Sequence, residues 1–207
     1  RESSYRRLVG TLGMSWRYDA DGWSLNSQTA FQHNNGRIEV DQDYSPQDIF
    51  AVKMPHRQNQ ISQEYTLRST NDSRYQWIVG AFGFHQQDHF TVYTTRIASK
   101  LYEVNQNKLP TMGFAFYHVS TFNVVKGLWA SAGVRFDWEK NSLKNFSKKI
   151  KLTDPNEPPI LKPLDPKDGW QITGFDASRI DRQITPKFTL KYQFTPFRMI
   201  YATVAKG

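Results

Sequence analysis

A strict two-residue alternation constrains this chain more than any other feature. From Arg7 to Tyr18 one parity reads Leu8, Gly10, Leu12, Met14, Trp16, Tyr18, while the other reads Arg7, Val9, Thr11, Gly13, Ser15, Arg17. A helix smears such a pattern around its circumference, whereas a strand sorts it into one apolar and one polar face. The pattern recurs. After Asp19-Ala20-Asp21-Gly22, whose Asp-Gly pair is a strong hairpin signal, Trp23, Leu25, Ser27, Thr29 and Phe31 oppose Ser24, Asn26, Gln28, Ala30 and Gln32. Gln60–Ser69 sets Ile61, Tyr65 and Leu67 against Ser62, Glu64, Thr66 and Arg68. The fourth strand, Tyr75 to about Gln86, is apolar on both parities, so periodicity does not assign its faces. Met112, Phe114 and Phe116 mark a fifth strand. Leu128 to Glu139 and Ile184 to Phe194 are the sixth and seventh, and an eighth follows Thr195-Pro196-Phe197-Arg198.

The connections differ in length in a regular way. Short turns, at Asp19–Gly22, Thr70–Arg74, Ser120–Lys126 and Thr195–Arg198, alternate with long polar stretches at Asn34–Asn59, Gln87–Leu109 and Lys140–Arg182. Phe90 to Thr95 reads as an extension of a strand, and the third stretch carries Pro155, Pro158, Pro159, Pro163 and Pro166. Repeated long loops are unusual in a compact soluble domain and ordinary in an outer-membrane barrel, which has short periplasmic turns and long outer loops. Trp16, Tyr18, Trp23, Tyr75, Tyr192, Phe194 and Tyr201 crowd the short-turn ends, where an interfacial aromatic girdle belongs. The expected class is therefore all-β, an antiparallel transmembrane barrel. Strand one runs toward a short turn and strand eight away from one, so the reading is about eight consecutive strands of a larger barrel. Arg1, with no initiator Met or signal pattern around it, points to a processed or truncated product.

Composition removes several function classes. The 207 residues contain no cysteine, which excludes disulfide frameworks, thiolate metal sites and cysteine nucleophiles. No run approaches the ~18 apolar residues of a membrane helix. The net charge of +8 invites a nucleic-acid reading, but the basic residues scatter. Their one local density, Lys140, Lys144, Lys148, Lys149 and Lys151, is accompanied by no helix pattern, zinc finger or RNP-like aromatic motif and reads as a solvated loop. His85 and His89 stand four apart, a helical metal spacing, in a setting that does not support a helix. Tyr44, His56, Tyr93 and Tyr102 fall in the outer stretches, and tyrosine and histidine ligate haem iron, but no single one stands out. No nucleophile elbow or phosphate-binding glycine loop occurs. No catalytic, cofactor-binding or metal residue is assigned, and no enzyme activity is expected.

Four stretches together resemble a known family. Gln63–Ser69 with Tyr75–Phe82, then Leu128–Asp137, then Pro186–Thr195, then Met199–Gly207 are similar, in order and approximate spacing, to barrel segments of TonB-dependent receptors. The resemblance implies an outer-membrane receptor of about twenty-two strands. Such receptors import a scarce ligand, such as a ferric siderophore, haem, cobalamin or a glycan, with energy delivered through TonB. The implied partners are outer-membrane lipid, the TonB complex acting through a plug domain, and a small-molecule or metal-chelate ligand, with no nucleic acid. The plug, TonB box and closing strand of the family have no counterpart in this sequence, so the chain reads as a partial barrel domain over residues 1–207. On the inward parity lie Arg17, Arg68, Arg135, Lys187 and Lys191. They line a polar interior, paired with plug or barrel carboxylates, or else attract an anionic chelate; the pairing is the preferred reading. Two other classes remain open on sequence alone: a soluble or surface β-sheet binding module, and a small outer-membrane barrel enzyme. Recognition is expected in the three long stretches.

Overall fold

A computed structural model describes residues 3–42, 49–96, 101–151 and 171–206. They form one eight-stranded sheet in strict sequence order, every neighbour antiparallel. The strands are β1 (Ser4–Ala20), β2 (Trp23–Asp41), β3 (Phe50–Ser69), β4 (Tyr75–Arg96), β5 (Leu101–Val125), β6 (Leu128–Lys151), β7 (Gln171–Thr195) and β8 (Arg198–Ala205). β1 and β8 are the two edges of this sheet.

Tight turns set the register at one end. Gly22 and Gly127 have φ of 80° and 86°, a left-handed backbone that costs other residues about 1–2 kcal/mol. Gly127 has a second reason to be glycine. Its carbonyl accepts from Gln193 N at 2.8 Å, and a Cβ there would stand 2.7 Å from Gln193 O. From these turns the registers carry the apolar parity of one strand onto that of the next. Leu12 faces Phe31, which faces Ile61, and Phe116 faces Phe136, which faces Ile184. The same ladder settles β4: Val79 and Ala81 join the apolar face through Leu67 and Tyr65, leaving Ile78, Gly80, Phe82 and Phe84 on the other.

Three expected loops are corrected. The long polar stretches are mostly strand, because β2 pairs with β3 through Asn34, β4 extends to Arg96, and β6 and β7 continue to Lys151 and from Gln171. Likewise the turn expected over Ser120–Lys126 contracts, since β5 runs to Val125. Strands of 19–25 residues are about twice the 9–11 that cross a bilayer. In the outer halves polar residues occupy both parities, so alternation fades while the backbone still requires pairing. Polar cross-strand pairs take over: Asn145 donates to Asn107 Oδ1 at 2.7 Å and Thr111 to Asn141 Oδ1 at 2.9 Å. Pro55 and Pro110, which argue for loops in sequence, lie within strands where the ladder to the next strand skips. A missing N–H is tolerated there. Tyr44 and the five prolines of the third stretch lie outside the described residues.

No conventional core forms among the described residues. The buried apolar side chains are Val52, Tyr102, Val104 and Ala115, whereas Leu12, Met14, Phe116, Ile184 and many others are exposed. A two-layer soluble fold would bury such a face against a second layer. Aromatics bound this apolar band. At the turn end Trp16 stacks near Tyr18 and Tyr192 meets Phe194 edge-on, and ten residues up β6 from Leu128, Trp138 stacks on Phe114 with centroids 5.2 Å apart. Ten residues of a strand tilted by about 45° rise roughly 24 Å, close to the ~25 Å apolar band of a membrane barrel.

Candidate functional site

The face opposite the apolar band carries the chemistry. Its central feature is a network that spans three strands. Tyr117 on β5 reaches across β4 and donates to Glu64 Oε1 on β3 at 2.9 Å, with Thr66 Oγ1 3.0 Å away. Gly80 makes this reach possible, because any Cβ at that position would overlap the Tyr117 ring. Arg135 lies over the same ring with its Cζ 5.9 Å from the centroid, and its Nε donates to both oxygens of Asp137 at 2.9 and 3.0 Å. Arg68 Nε donates to the buried Ser24 Oγ at 3.1 Å. An open cavity of about 460 Å³ between Arg17, Arg68, Gln76 and Thr121 lies toward the turn end.

A second concavity, about 320 Å³, lies on this face toward the outer end. Tyr5, Arg7, Asn34, Met54 and His56 line it, and Arg7 Nε donates to Asn34 Oδ1 at 3.1 Å. His56 Nε2 stands 2.7 Å from Asp88 Oδ1. That oxygen is buried and accepts no in-line hydrogen bond.

All five cations singled out from sequence fall on this polar face. Arg17 pairs with Asp19 at 2.8 Å and Arg135 with Asp137 at 2.8 Å, each a carboxylate two residues along the same strand. Arg68 has Ser24, and Lys191 Nζ sits 5.6 Å from the Trp129 ring centroid. Lys187 lies opposite Gly133. They do not converge on one point; Arg17 and Arg68 share a cavity, and Arg135 belongs to the tyrosine network. Sequence reasoning missed Glu64, Tyr117, Asp137 and Asp88 as partners. Asp137 stands only two residues from Arg135 on the same strand, whereas Tyr117 and Glu64, and His56 and Asp88, meet through registers that join residues 53 and 32 positions apart. His85 and His89 are strand residues on one face of β4, about 13 Å apart, too far to share an ion. Lys140, Lys144 and Lys148 lie in β6 on the apolar-band parity rather than in a loop, while Lys149 turns to the other face and meets Glu103 at 3.4 Å.

A family model described as TonB dependent receptor-like, beta-barrel, matches residues 2–207. The chain belongs to the TonB-dependent receptor family. Solved structures agree on the fold. The ferric yersiniabactin uptake receptor FyuA from Yersinia pestis superposes with a TM-score of 0.71 at 19% identity, covering 96% of this chain and 28% of that one. The ferric-catecholate import receptor Fiu from E. coli K12, in its open form, gives 0.65 at 13%, covering 97% and 35%. The siderophore receptor PiuA from Acinetobacter baumannii gives 0.63 at 9%, covering 97% and 32%. The chain thus spans about a third or less of each of these receptors. No curated protein matches it. The sheet is a run of consecutive strands of a TonB-dependent receptor barrel.

Proposed function

We propose that these strands form part of the wall of an outer-membrane receptor that takes up a scarce ligand with energy passed through TonB. In this reading the apolar band faces lipid and the polar face lines the lumen, where it meets a plug domain and the passing ligand. The wall is a passive frame and carries no catalysis. The observation that carries the reading is the two-faced sheet: an exposed apolar belt about one bilayer tall, backed by a hydrogen-bonded polar wall, within a chain matched to the receptor family along 2–207.

Ferric siderophores come first among the candidate ligands, ahead of haem, cobalamin and glycans, because FyuA, Fiu and PiuA, which share this fold, are a ferric yersiniabactin uptake receptor, a ferric-catecholate import receptor and a siderophore receptor. Recognition falls to the outer end of the wall, at the connections and the concavity around Arg7 and His56, because long outer segments carry binding while the barrel supplies a frame. The paired cations near the turn end serve mainly to satisfy the lumen wall. The test uses the full-length receptor in a host outer membrane stripped of its own receptors. Uptake of radiolabelled iron is measured as ferric citrate, a ferric catecholate and a ferric hydroxamate, beside haem, cobalamin and an oligosaccharide. The reading predicts accumulation of at least one probe that vanishes when TonB is deleted. Failure of every probe, or uptake indifferent to TonB, contradicts it.

A further inference from the structure

The apolar-band face carries a row of basic side chains above its upper aromatics. Reading directly across the ladder, Arg57 on β3 faces His89 on β4, His89 faces Lys108 on β5, and Lys108 faces Lys144 on β6. All four side chains are exposed, while the residues between them on the other face, such as Asp88, Asn107 and Asn145, are not. Like charges directly opposite one another across a sheet repel. Among the described residues no ion pair involves Arg57, Lys108 or Lys144; Asp176, opposite Lys144, flanks the row at its β7 end. The contrast on the same face is instructive. At the outer ends of β2 and β3, Arg37 and Lys53 share Glu39, with Lys53 Nζ at 3.5 Å, and the hydrogen bond from Arg37 holds that carboxyl below its usual range. Glu39 pairs with its cations, whereas in the row only Lys144 faces a carboxylate, Asp176, and makes no ion pair with it among the described residues.

Depth and spacing point to the missing counter-charge. Lys108 and Lys144 stand four residues beyond Met112 and Lys140, in the row that also holds Ile61 and Ile180. Four residues of tilted strand rise about 10 Å, from the edge of the hydrocarbon into the headgroup layer. Four strands at about 4.8 Å spacing make the row roughly 14 Å long, and the strand tilt inclines it to the membrane plane, so that its two ends differ in depth by about 10 Å. Lys140 and Lys148, four residues either side of Lys144 on the same parity, widen the basic area. We infer that Arg57, His89, Lys108 and Lys144 form a binding site for the phosphates of an outer-leaflet lipid, which neutralise the row and seat the barrel at a fixed depth. The site rests on the lipid-facing assignment proposed above.

The experiment reconstitutes full-length receptor into phosphatidylcholine vesicles containing a small fraction of a bisphosphorylated glycolipid or its dephosphorylated form. Glycolipid retained after detergent exchange is measured by native mass spectrometry. Retention of the phosphorylated form should exceed that of the dephosphorylated form at least tenfold. Lys108→Gln with Lys144→Gln should remove most of that excess, and Lys149→Gln on the opposite face should leave it intact. The milder glutamines keep the variant foldable, and vesicle insertion is checked separately. Equal retention of both glycolipids, or retention unaffected by the double variant, overturns the proposal, as does complete displacement by millimolar inorganic phosphate, which would mark a generic anion site. A receptor that does not insert into vesicles at all defeats the membrane reading instead.

Discussion

Tyr117 illustrates how one residue holds together strands that are not neighbours. Its hydroxyl joins Glu64 on β3 from β5, and the passage over β4 exists only because residue 80 has no side chain. Gly80→Ala should therefore push the ring aside and break the bond to the charged Glu64, a loss of about 1–3 kcal/mol. In a double-mutant cycle Tyr117→Phe should add little on top of Gly80→Ala, because both remove the same contact. Gly13→Ala, where a Cβ meets nothing, is the neutral control. Reversible unfolding of the receptor in lipid measures all three, and fully additive losses would separate Gly80 from Tyr117. Tyr102 offers a second handle, at the outer end of β5. Burial, and to a smaller extent the nearby Tyr93, pushes its phenol up to about 12. The neutral form is the one the fold favours, so its contribution is intact below pH 10 and is lost as pH rises from 10 through 12. In a base titration followed at 295 nm, Tyr102→Phe should remove amplitude near pH 12 and none near pH 10. At this scale parity places Arg135 opposite the apolar residues of Ala132-Gly133-Val134-Arg135-Phe136, whereas its position over Tyr117 depends on the β5–β6 register.

The strands were legible in their lower halves and opaque in their upper halves, for one physical reason. Where lipid would lie on one side and a polar interior on the other, selection of side chains by face produces the alternation seen in Leu8 to Tyr18. Above that level His33, Asn34, Asn35 and Gly36 put no apolar side chain on either face, yet remain in β2. Pro55 and Pro110 lie within strands because each needs only one unpaired position there. The faces themselves are testable element by element. In the intact receptor, Leu12→Arg or Ala132→Arg should destabilise by roughly 2–4 kcal/mol if near the bilayer midplane. Ser131→Arg, one residue along β6 on the polar face and 2.9 Å from Thr121 Oγ1, should cost less unless it meets the plug. Equal costs on both faces, by reversible unfolding in lipid, would contradict the assignment.

For the molecule as a whole, the central claim is that one sheet separates two media, lipid on one side and a polar lumen on the other. The absence of cysteine from these strands makes a direct measurement possible, since single cysteines can be introduced into them without competing thiols. Spin labels placed one at a time from Leu128 to Trp138 in the full-length receptor, reconstituted in a bilayer, report collision with oxygen, which concentrates in lipid, and with a polar nickel chelate, which stays in water. The account predicts a period of two: labels at 130, 132, 134 and 136 favour oxygen, and labels at 131, 133, 135 and 137 show low oxygen and variable nickel accessibility. A profile with the phase reversed, or with no alternation across the eleven positions, would contradict it.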